Sequence, residues 1–385
     1  MNTQMTAAEE TLGFVLPTRK VESFHYTDLR RMLRELPQEG RGSGTETKYE
    51  PIVETHLIAF SDGTLQGDQI LPSGVIMSTG AQKADSEDIN DAIVSLNAAT
   101  AGDALEFVIS GDSTAEKPLG LGHVSTQDTR SGVYHKVTVK AGSQGHIIER
   151  HTSPNGVKSL STSVSELIVE EGGKVVWYIL QQENEEASHL ARLNVTLAQD
   201  AELSVFILNA GGKLVRQEVK VAVIGENANL AIRGVNLVGD GAHIDVTTVL
   251  EHNVPHTNAE ELFRNVVAGD GHGIFQGQIK VAQPAQKTDA QMACNTLLLT
   301  DEGDFSAKPE LEIFADDVIC AHGATVTDID DDHKFYLKAR GIDEKTARSL
   351  LIKAFVDEVV EELEAGEVME EALTGAIDAW LDQNI

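Results

Sequence analysis

Short segments of alternating apolar and polar residues recur through the middle of this chain and constrain its fold more than any other feature. Most of the segments follow a corner of glycine with polar or acidic residues, such as Glu171-Gly172-Gly173 or Gly239-Asp240-Gly241. The corners lie about 14 residues apart, or twice that distance, as expected when each strand-and-turn unit stacks on the preceding one. The segments are Val133–Val139, Val175–Leu180, Leu203–Leu208, Leu230–Leu237, Ile244–Leu250, Ile274–Val281 and Leu311–Ile313.

These segments predict a mainly β fold with a β-solenoid core. No long helical pattern interrupts them, whereas a βαβ fold would need crossover helices between its parallel strands. The 33 glycines and the low aromatic content of 5% also favour short strands joined by tight turns. A β-sandwich, with Greek-key pairing instead of stacking, is the alternative that periodicity alone leaves open.

The two ends of the chain differ from its middle in their pattern of apolar and polar residues. Residues 1–100 are predicted to form a mostly helical domain of mixed character, in which Thr27 caps a short helix. Residues 101–332 form the predicted β core, and residues 333–385 form a C-terminal helical domain. A length of 385 residues suits such a division into two or three domains.

Two amphipathic helices are predicted in the C-terminal domain. Asp343 caps the first helix, which ends at Gly366. Such a pair of helices docks on its own domain or on a partner. The apolar stripe of the first helix consists of Ala347, Leu350, Leu351, Ala354, Phe355, Val359 and Leu363, and that of the second of Val368, Leu373, Ile377, Trp380 and Leu381.

The charge of the chain is strongly negative. The 61 acidic residues against 30 basic ones give a formal net charge of -31, which disfavours nucleic acid and anionic membranes as partners. No signal-peptide pattern is present, and no apolar run approaches the length needed to span a bilayer. Only two cysteines occur, which fits a reducing compartment, and we therefore expect a cytoplasmic protein.

Cys320 and His322 are the strongest candidates for chemistry. In a strand they point to the same face, with their Cα atoms about 6.6 Å apart. A thiolate and an imidazole on one face can bind a soft or borderline metal such as iron, or a sulfur intermediate. An iron–sulfur cluster usually has four ligands, so the others would come from elsewhere in the fold or from another subunit. The alternative is a small buried cysteine beside a hydrogen-bonded strand histidine.

Other chemical motifs are weak. The sequence has no Walker-type glycine loop, no HExxH and no paired CxxC. His252 and His256 are four residues apart, but Pro255 argues against a helix that would align them, so both are predicted to be structural. Cys294 precedes an apolar strand, where a lone cysteine is more often packed than reactive.

A series of motifs in the last third of the chain resembles the SufB/SufD family of iron–sulfur cluster assembly scaffolds. The motifs occur in the same order as in that family. The segment Leu16–Asp28 is similar to the entry segment of the SufD branch, and the short N-terminal region also favours that branch. The motifs are Phe275–Val281, Ala285–Gln291, Leu297–Leu299, Lys308–Ile313, Ala315–Val318, Cys320–Thr325, Phe335–Ile342 and Ala347–Phe355.

The resemblance implies a right-handed parallel β-helix flanked by helical ends, in a scaffold subunit that is not itself an enzyme. It implies two partners: SufB, paired through the β-helix, and the ABC-type ATPase SufC, docked on the C-terminal helices by Leu350, Leu351 and Phe355. It also implies that His322, with Cys320 beside it, lies at the SufB–SufD interface where a transient iron–sulfur cluster forms. No tightly bound cofactor is expected in the isolated chain, which can also form a homodimer.

Two positions depart from the family pattern. Thr327 stands where the family commonly has glycine, a change that affects only a turn. Cys294 stands where the SufD branch usually lacks cysteine and the SufB branch has its cluster-assembly cysteine, so it is either incidental or a third candidate ligand. The rival functions are a SufB-like homodimeric scaffold and a β-helix enzyme that acts on polysaccharide through Asp316 and Asp317.

Overall fold

Two ten-stranded β-sheets form the core of the protein. The computed structural model describes residues 5–40, 49–84, 86–113, 117–363 and 365–385. Sheet 1 consists of β1 (Gln38–Glu39), β4 (Val75–Ala81), β5 (Ala104–Ile109), β7 (Thr129–Val139), β9 (Leu160–Val169), β11 (Ser188–Leu197), β13 (Leu214–Val223), β15 (His243–His252), β17 (His272–Val281) and β19 (Asp304–Ile313). Sheet 2 consists of β2 (His56–Ser61), β3 (Thr64–Gln66), β6 (Leu119–Val124), β8 (Gln144–Thr152), β10 (Lys174–Gln182), β12 (Glu202–Ala210), β14 (Asn229–Val238), β16 (Asn258–Val267), β18 (Asp289–Leu298) and β20 (Ile319–Thr327).

From β5 onward, successive strands alternate between the two sheets. Each strand from β7 to β20 pairs in parallel with the strand two places before it, so that His243 lies opposite Leu214, 29 residues earlier in the chain. The chain therefore winds as a β-solenoid of about 8 turns. This stacking confirms the predicted solenoid and excludes the β-sandwich, in which Greek-key connections would pair these strands antiparallel.

The space between the two sheets is filled by side chains that stack in register from turn to turn. Trp177 in β10 lies beside Val205 in β12, which lies beside Ile232 in β14, and all three are fully buried. Buried polar residues follow the same register, since Asn209 donates from Nδ2 to Oδ1 of Asn236 at 2.7 Å. A side chain in the interior is therefore positioned by the turns on either side of it.

The corners between strands bring the backbones of adjacent turns into close contact. A Cβ atom at Gly225 would lie 1.8 Å from the backbone nitrogen of Gln199 in the preceding turn, so only glycine fits there. Asn227 follows with a φ angle of 61°, in the left-handed region that asparagine adopts more readily than most residues. These corners allow the turns to stack closely.

Short helical segments near the N-terminus cover the outer face of sheet 1. Leu16, Phe24 and Leu29 are buried in one apolar cluster with Leu190 of β11 and Leu214 of β13. The outer face of sheet 1 thus forms a second, smaller core. The segments are α1 (Ala7–Leu12), α2 (Leu29–Met32), α3 (Ala92–Thr100) and two 3-10 turns, Glu22–Phe24 and Ile89–Asp91.

The cap of α2 differs from the prediction. Asp28 caps this helix, since its side chain accepts a hydrogen bond from the backbone N–H of Arg31 at 2.9 Å. Thr27 is instead buried, and its hydroxyl group donates to Asp245 of β15. The prediction was wrong because a neighbouring acidic residue competes for the cap position and a buried carboxylate on sheet 1 binds the threonine hydroxyl.

Strands also occur earlier in the chain than predicted. Residues 1–100 contribute β1 to β4 to the two sheets. In β2, Ile58 and Phe60 point into the solenoid interior, which gives this segment the alternation of a strand rather than the spacing of a helix. The sheets therefore begin before residue 101, and the proposed division into three domains stays a prediction.

Three helices follow β20: α4 (Asp331–Ala339), α5 (Glu344–Glu361) and α6 (Glu367–Asn384). Asp343 caps α5 as predicted, accepting a hydrogen bond from the N–H of Thr346 at 3.1 Å. α5 packs on β14 and β16, and α6 packs on β12. The predicted apolar residues of α6 are buried except Val368, which is exposed. Among the described residues, no helix is long and apolar enough to cross a membrane.

The buried face of α5 differs from the predicted stripe. Ile352, Val356 and Val360 are buried against sheet 2, whereas Leu350 and Ala354 are exposed. The apolar residues of α5 occupy more than one face of the helix, so their spacing does not select the face that meets the sheet. The predicted stripe was therefore wrong for these residues.

Candidate functional site

The last turn of the solenoid leaves two strand edges open. β19 ends sheet 1 and β20 ends sheet 2, and within the described ranges no strand pairs with their outer edges. The N–H of Ile319 donates to the carbonyl of Thr288 at 2.9 Å, on the side of β18. Because alternate residues of a strand direct their N–H groups to opposite sides, those of Cys320, His322 and Ala324 point away from β18. The last turn can therefore accept another strand.

Cys320 and His322 lie in the column of inward-facing positions, at the point where stacking stops. In the register between β18 and β20, Cys320 lies opposite Ala290, and His322 lies opposite Met292. Ala290 and Met292 are buried between the sheets. No further turn covers the positions in β20, so His322 is exposed and Cys320 is half-buried. Both side chains are thus on one face, at the open end of the solenoid.

The Cys320 thiol is partly accessible and mainly neutral. Burial raises the pKa of this thiol, an effect that a hydrogen bond with the backbone of Ala290 partly offsets. A metal ion or a sulfur transfer step would have to displace its proton. Cys320 and His322 together supply one sulfur and one nitrogen donor, which suits iron or another soft or borderline metal and leaves coordination positions for donors from outside this chain.

Apolar side chains surround the open end. Phe314 is 67% exposed and Ile319 is 66% exposed, and Ile313 and Val326 are also exposed to solvent. Leu311 in β19 is only partly covered by the core. Contiguous exposed apolar residues beside open strand edges are typical of a protein–protein interface.

Cys294 lies one turn further inside and is fully buried. It stacks between Phe263 of β16 and Ala324 of β20, and Asn265 donates from Nδ2 to its sulfur at 3.2 Å. Burial raises the pKa of this thiol to about 12, so it is protonated at neutral pH. This is the environment of a packed cysteine, and its candidate role as a cluster ligand stays a prediction.

The three residues predicted to bind a partner occupy different environments on α5. Leu350 is 46% exposed, whereas Leu351 and Phe355 are half-buried against sheet 2, with the Arg264 guanidinium 5.2 Å from the ring centroid of Phe355. Leu350 is the most exposed of the three and is the one best placed to contact another protein. Phe335 on α4 is 73% exposed, a feature that the helical pattern did not predict.

The other residues that the sequence analysis singled out make contacts typical of structural residues. His252 is buried, with Nδ1 2.8 Å from the hydroxyl oxygen of Thr257, and His256 lies in a turn with a φ angle of 59°. Asp317 forms an ion pair with Lys287 on the surface. Within the described residues, none of these groups belongs to a cluster that could hold a metal ion.

Sequence reasoning missed a polar cluster in the solenoid interior. His123, Glu149 and His151 are buried side chains of β6 and β8 whose ligand atoms lie within 4.8 Å of one another. Glu149 and His151 are two residues apart in a strand whose other inward positions are Gly145 and Ile147. Two polar residues at inward positions of an apolar strand were the available signal.

The fold and this site define a β-solenoid protein that presents a cysteine and a histidine at an open, pairing-competent end. The chain belongs to the SufB/SufD family. Residues 123–355 match the family described as "SUF system FeS cluster assembly, SufBD core domain". The family identified from sequence motifs is thereby confirmed.

Curated relatives match nearly the whole chain. The chain is 30% identical to the iron–sulfur cluster assembly protein SufD of Escherichia coli, with 92% of this chain and 87% of that protein covered. It is 28% identical to a chloroplastic protein of Arabidopsis thaliana, covering 95% of this chain and 83% of the relative. It is 24% identical to an iron–sulfur cluster assembly SufBD family protein of Synechocystis, covering 94% and 87%.

Proposed function

We propose that this protein is a SufD-like scaffold subunit of an iron–sulfur cluster assembly complex, and that it acts in the cytoplasm. It pairs with a SufB-type subunit through the last turn of the solenoid and binds a SufC-type ABC ATPase through its C-terminal helices. The ATPase activity belongs to the SufC-type partner. Membership in the SufB/SufD family and the similarity to SufD support this proposal.

The position of Cys320 and His322 on an open strand edge carries the proposal. A partner strand added to β20 would bring its own side chains beside these two donors, as in other interfaces formed by strand addition. A nascent cluster would then be held jointly by both subunits and released as cargo, since this chain supplies fewer ligands than a cluster needs. Without a SufB-type partner, a second copy of the chain can occupy the same edge as a homodimer.

Replacing His322 with alanine is expected to lower cluster formation on the assembled complex at least about tenfold, because a metal donor at the interface is lost. Complexes are loaded anaerobically with iron and sulfide, and cluster absorbance is followed over time. His322 is exposed, so the variant should fold and pair like the parent.

His25 provides a matched control, because it is also an exposed histidine but lies in the N-terminal segment on the outer face of sheet 1, next to Tyr26. The H25A variant should assemble clusters at the parental rate. An intact complex carrying H322A that assembles clusters as fast as H25A would remove His322 from the mechanism.

Replacing Leu350 with aspartate is expected to weaken ATPase docking about tenfold or more, because a charge would replace an exposed apolar side chain at the docking surface. Binding is measured by interferometry with the purified SufC-type ATPase. Phe355 is less suitable for this test, since it packs against sheet 2 and its replacement would disturb the fold. Ile70, which is 73% exposed in the loop between β3 and β4, gives the control I70D, which should bind the ATPase like the parent. Binding by L350D as tight as binding by I70D would place the ATPase elsewhere.

A further inference from the structure

A cluster of histidines and carboxylates lies inside the first turns of the solenoid, at the end opposite to Cys320 and His322. His123 in β6 pairs in register with His151 in β8, and Glu149 lies two residues before His151 on the same inward face. All three side chains are at least nine-tenths buried. Their neighbours on the same strands, Leu121 and Ile147, are apolar, whereas the buried rings of His135 and His189 lie 5.4 Å from His123 and 4.4 Å from His151. Buried ionisable groups in such a setting need partners.

The three side chains converge on a small volume. Nε2 of His151 lies 2.9 Å from Oε1 of Glu149, and Nε2 of His123 lies 3.9 Å from the same oxygen. The rings of His123 and His151 are stacked with their centroids 4.3 Å apart. Ser163 donates to Oε1 of Glu149 at 2.9 Å, which orients the carboxylate toward the histidines.

The ring nitrogens of His123 lack hydrogen-bond partners within the described part of the chain. Its ring is held between His151 on one side and Phe60 on the other, with the Phe60 centroid 4.7 Å away. A buried polar group without a partner destabilises the folded state, and a ligand bound to His123 would remove that cost.

A cavity of about 20 Å³ adjoins the same side chains. Its lining includes His123 and His151, together with Ser161 and the backbone at Gly63 and Gly132. A space of more than about 10–15 Å³ with polar walls holds one water molecule or one ion. The cavity and the unpartnered imidazole are separate observations that indicate the same position.

We propose that His123, Glu149 and His151 bind one divalent first-row transition-metal ion inside the solenoid. Two imidazole nitrogens and one carboxylate oxygen suit Zn²⁺ or Fe²⁺ and do not suit Mg²⁺, which prefers oxygen ligands. Bonds of about 2.0–2.2 Å place such ligands up to about 4 Å apart, so the ligand atoms, which lie within 4.8 Å of one another, must move closer and the stacked rings must tilt toward the ion. The cavity leaves room for a water molecule as a further ligand. The proposed site does not depend on the pairing or cluster assembly proposed above.

The proposal is tested on the purified full-length chain, stripped with chelator and then titrated with Zn²⁺ or, anaerobically, with Fe²⁺. Bound metal is counted by mass spectrometry, and thermal unfolding is recorded, because an ion that binds only the folded chain raises the unfolding temperature. The parental chain should bind one more ion than H123F. Phenylalanine should fit the stacked position of His123, so H123F should stay folded and lose the ion.

Two further variants separate the site from other metal-binding groups. S163A should lower the affinity about 10–100-fold, since it removes the hydrogen bond that orients Glu149. H146N should bind the ion like the parent, because His146 lies on the same strand as His151 but outside the interior, near Tyr178. H322A should also retain it. An H123F chain that binds as many ions as the parent, or a folded parental chain that binds none, would overturn the proposal.

Discussion

Replacing Ala324 with proline is expected to weaken pairing with the SufB-type partner by about 100-fold or more, while the chain itself stays folded. The N–H of Ala324 points away from β18, so proline removes no hydrogen bond inside the solenoid. It does remove a donor from the outer edge, and its ring blocks a strand that would add there. Pairing is measured by sedimentation with the purified partner.

The control for this variant is A324S, which changes the side chain at the same position and keeps the N–H group. It should pair with an affinity close to that of the parent. If A324P and A324S pair equally well, the edge of β20 is not the pairing surface, and the partner must bind another face of the molecule.

Replacing Arg216 with alanine is expected to lower the free energy of unfolding by about 3–5 kcal/mol, the typical cost of leaving buried charges unpaired. Arg216 is fully buried on the outer face of sheet 1. Its guanidinium donates to Glu218 at 2.9 Å and forms an ion pair with Asp245, both of which are also buried. The variant would leave Asp245 without its ion-pair partner, whereas Glu218 would keep its ion pair with Arg192.

The same substitution should loosen the N-terminal segment. Arg216 donates to the carbonyl of Ser23 at 2.7 Å, and its guanidinium lies 4.2 Å from the centroid of the Phe24 ring. These contacts connect the segment to sheet 1. We therefore expect proteases to cleave the chain before residue 30 faster in R216A than in the parent.

Urea unfolding measures the change in stability, with K140A as the control. Lys140 forms an exposed ion pair with Glu170, and such pairs contribute little. R216A should therefore unfold at clearly lower urea concentrations than K140A. Nearly equal midpoints would show that the buried network does not stabilise the fold.

The solenoid could be predicted from sequence because its two determinants are local. Strand alternation and corner residues such as Gly225 and Asn227 are visible in the sequence, and they suffice to specify stacked turns. The cap of α2 and the buried face of α5 could not be predicted in this way. Thr27 is bound by Asp245, more than 200 residues away, and the exposed position of Leu350 depends on how α5 meets sheet 2.

The candidate site was predictable to a similar extent. A strand period of two places Cys320 and His322 on one face, but their exposure depends on the fact that no turn stacks on β20. Predicting the interior cluster needs still more information. His123 and His151 are 28 residues apart in the chain and meet only through the register between β6 and β8. Register between turns of unequal length cannot be read from one sequence.

Amide hydrogen exchange of the chain, alone and in complex with the SufB-type partner, tests the pairing surface most directly. We expect the complex to slow exchange strongly in β19 and β20, because their open edges gain hydrogen bonds there. Interior strands such as β9 should change little, since they are already paired on both sides. A stable complex in which β19 and β20 exchange as fast as in the free chain would exclude their open edges as the pairing surface.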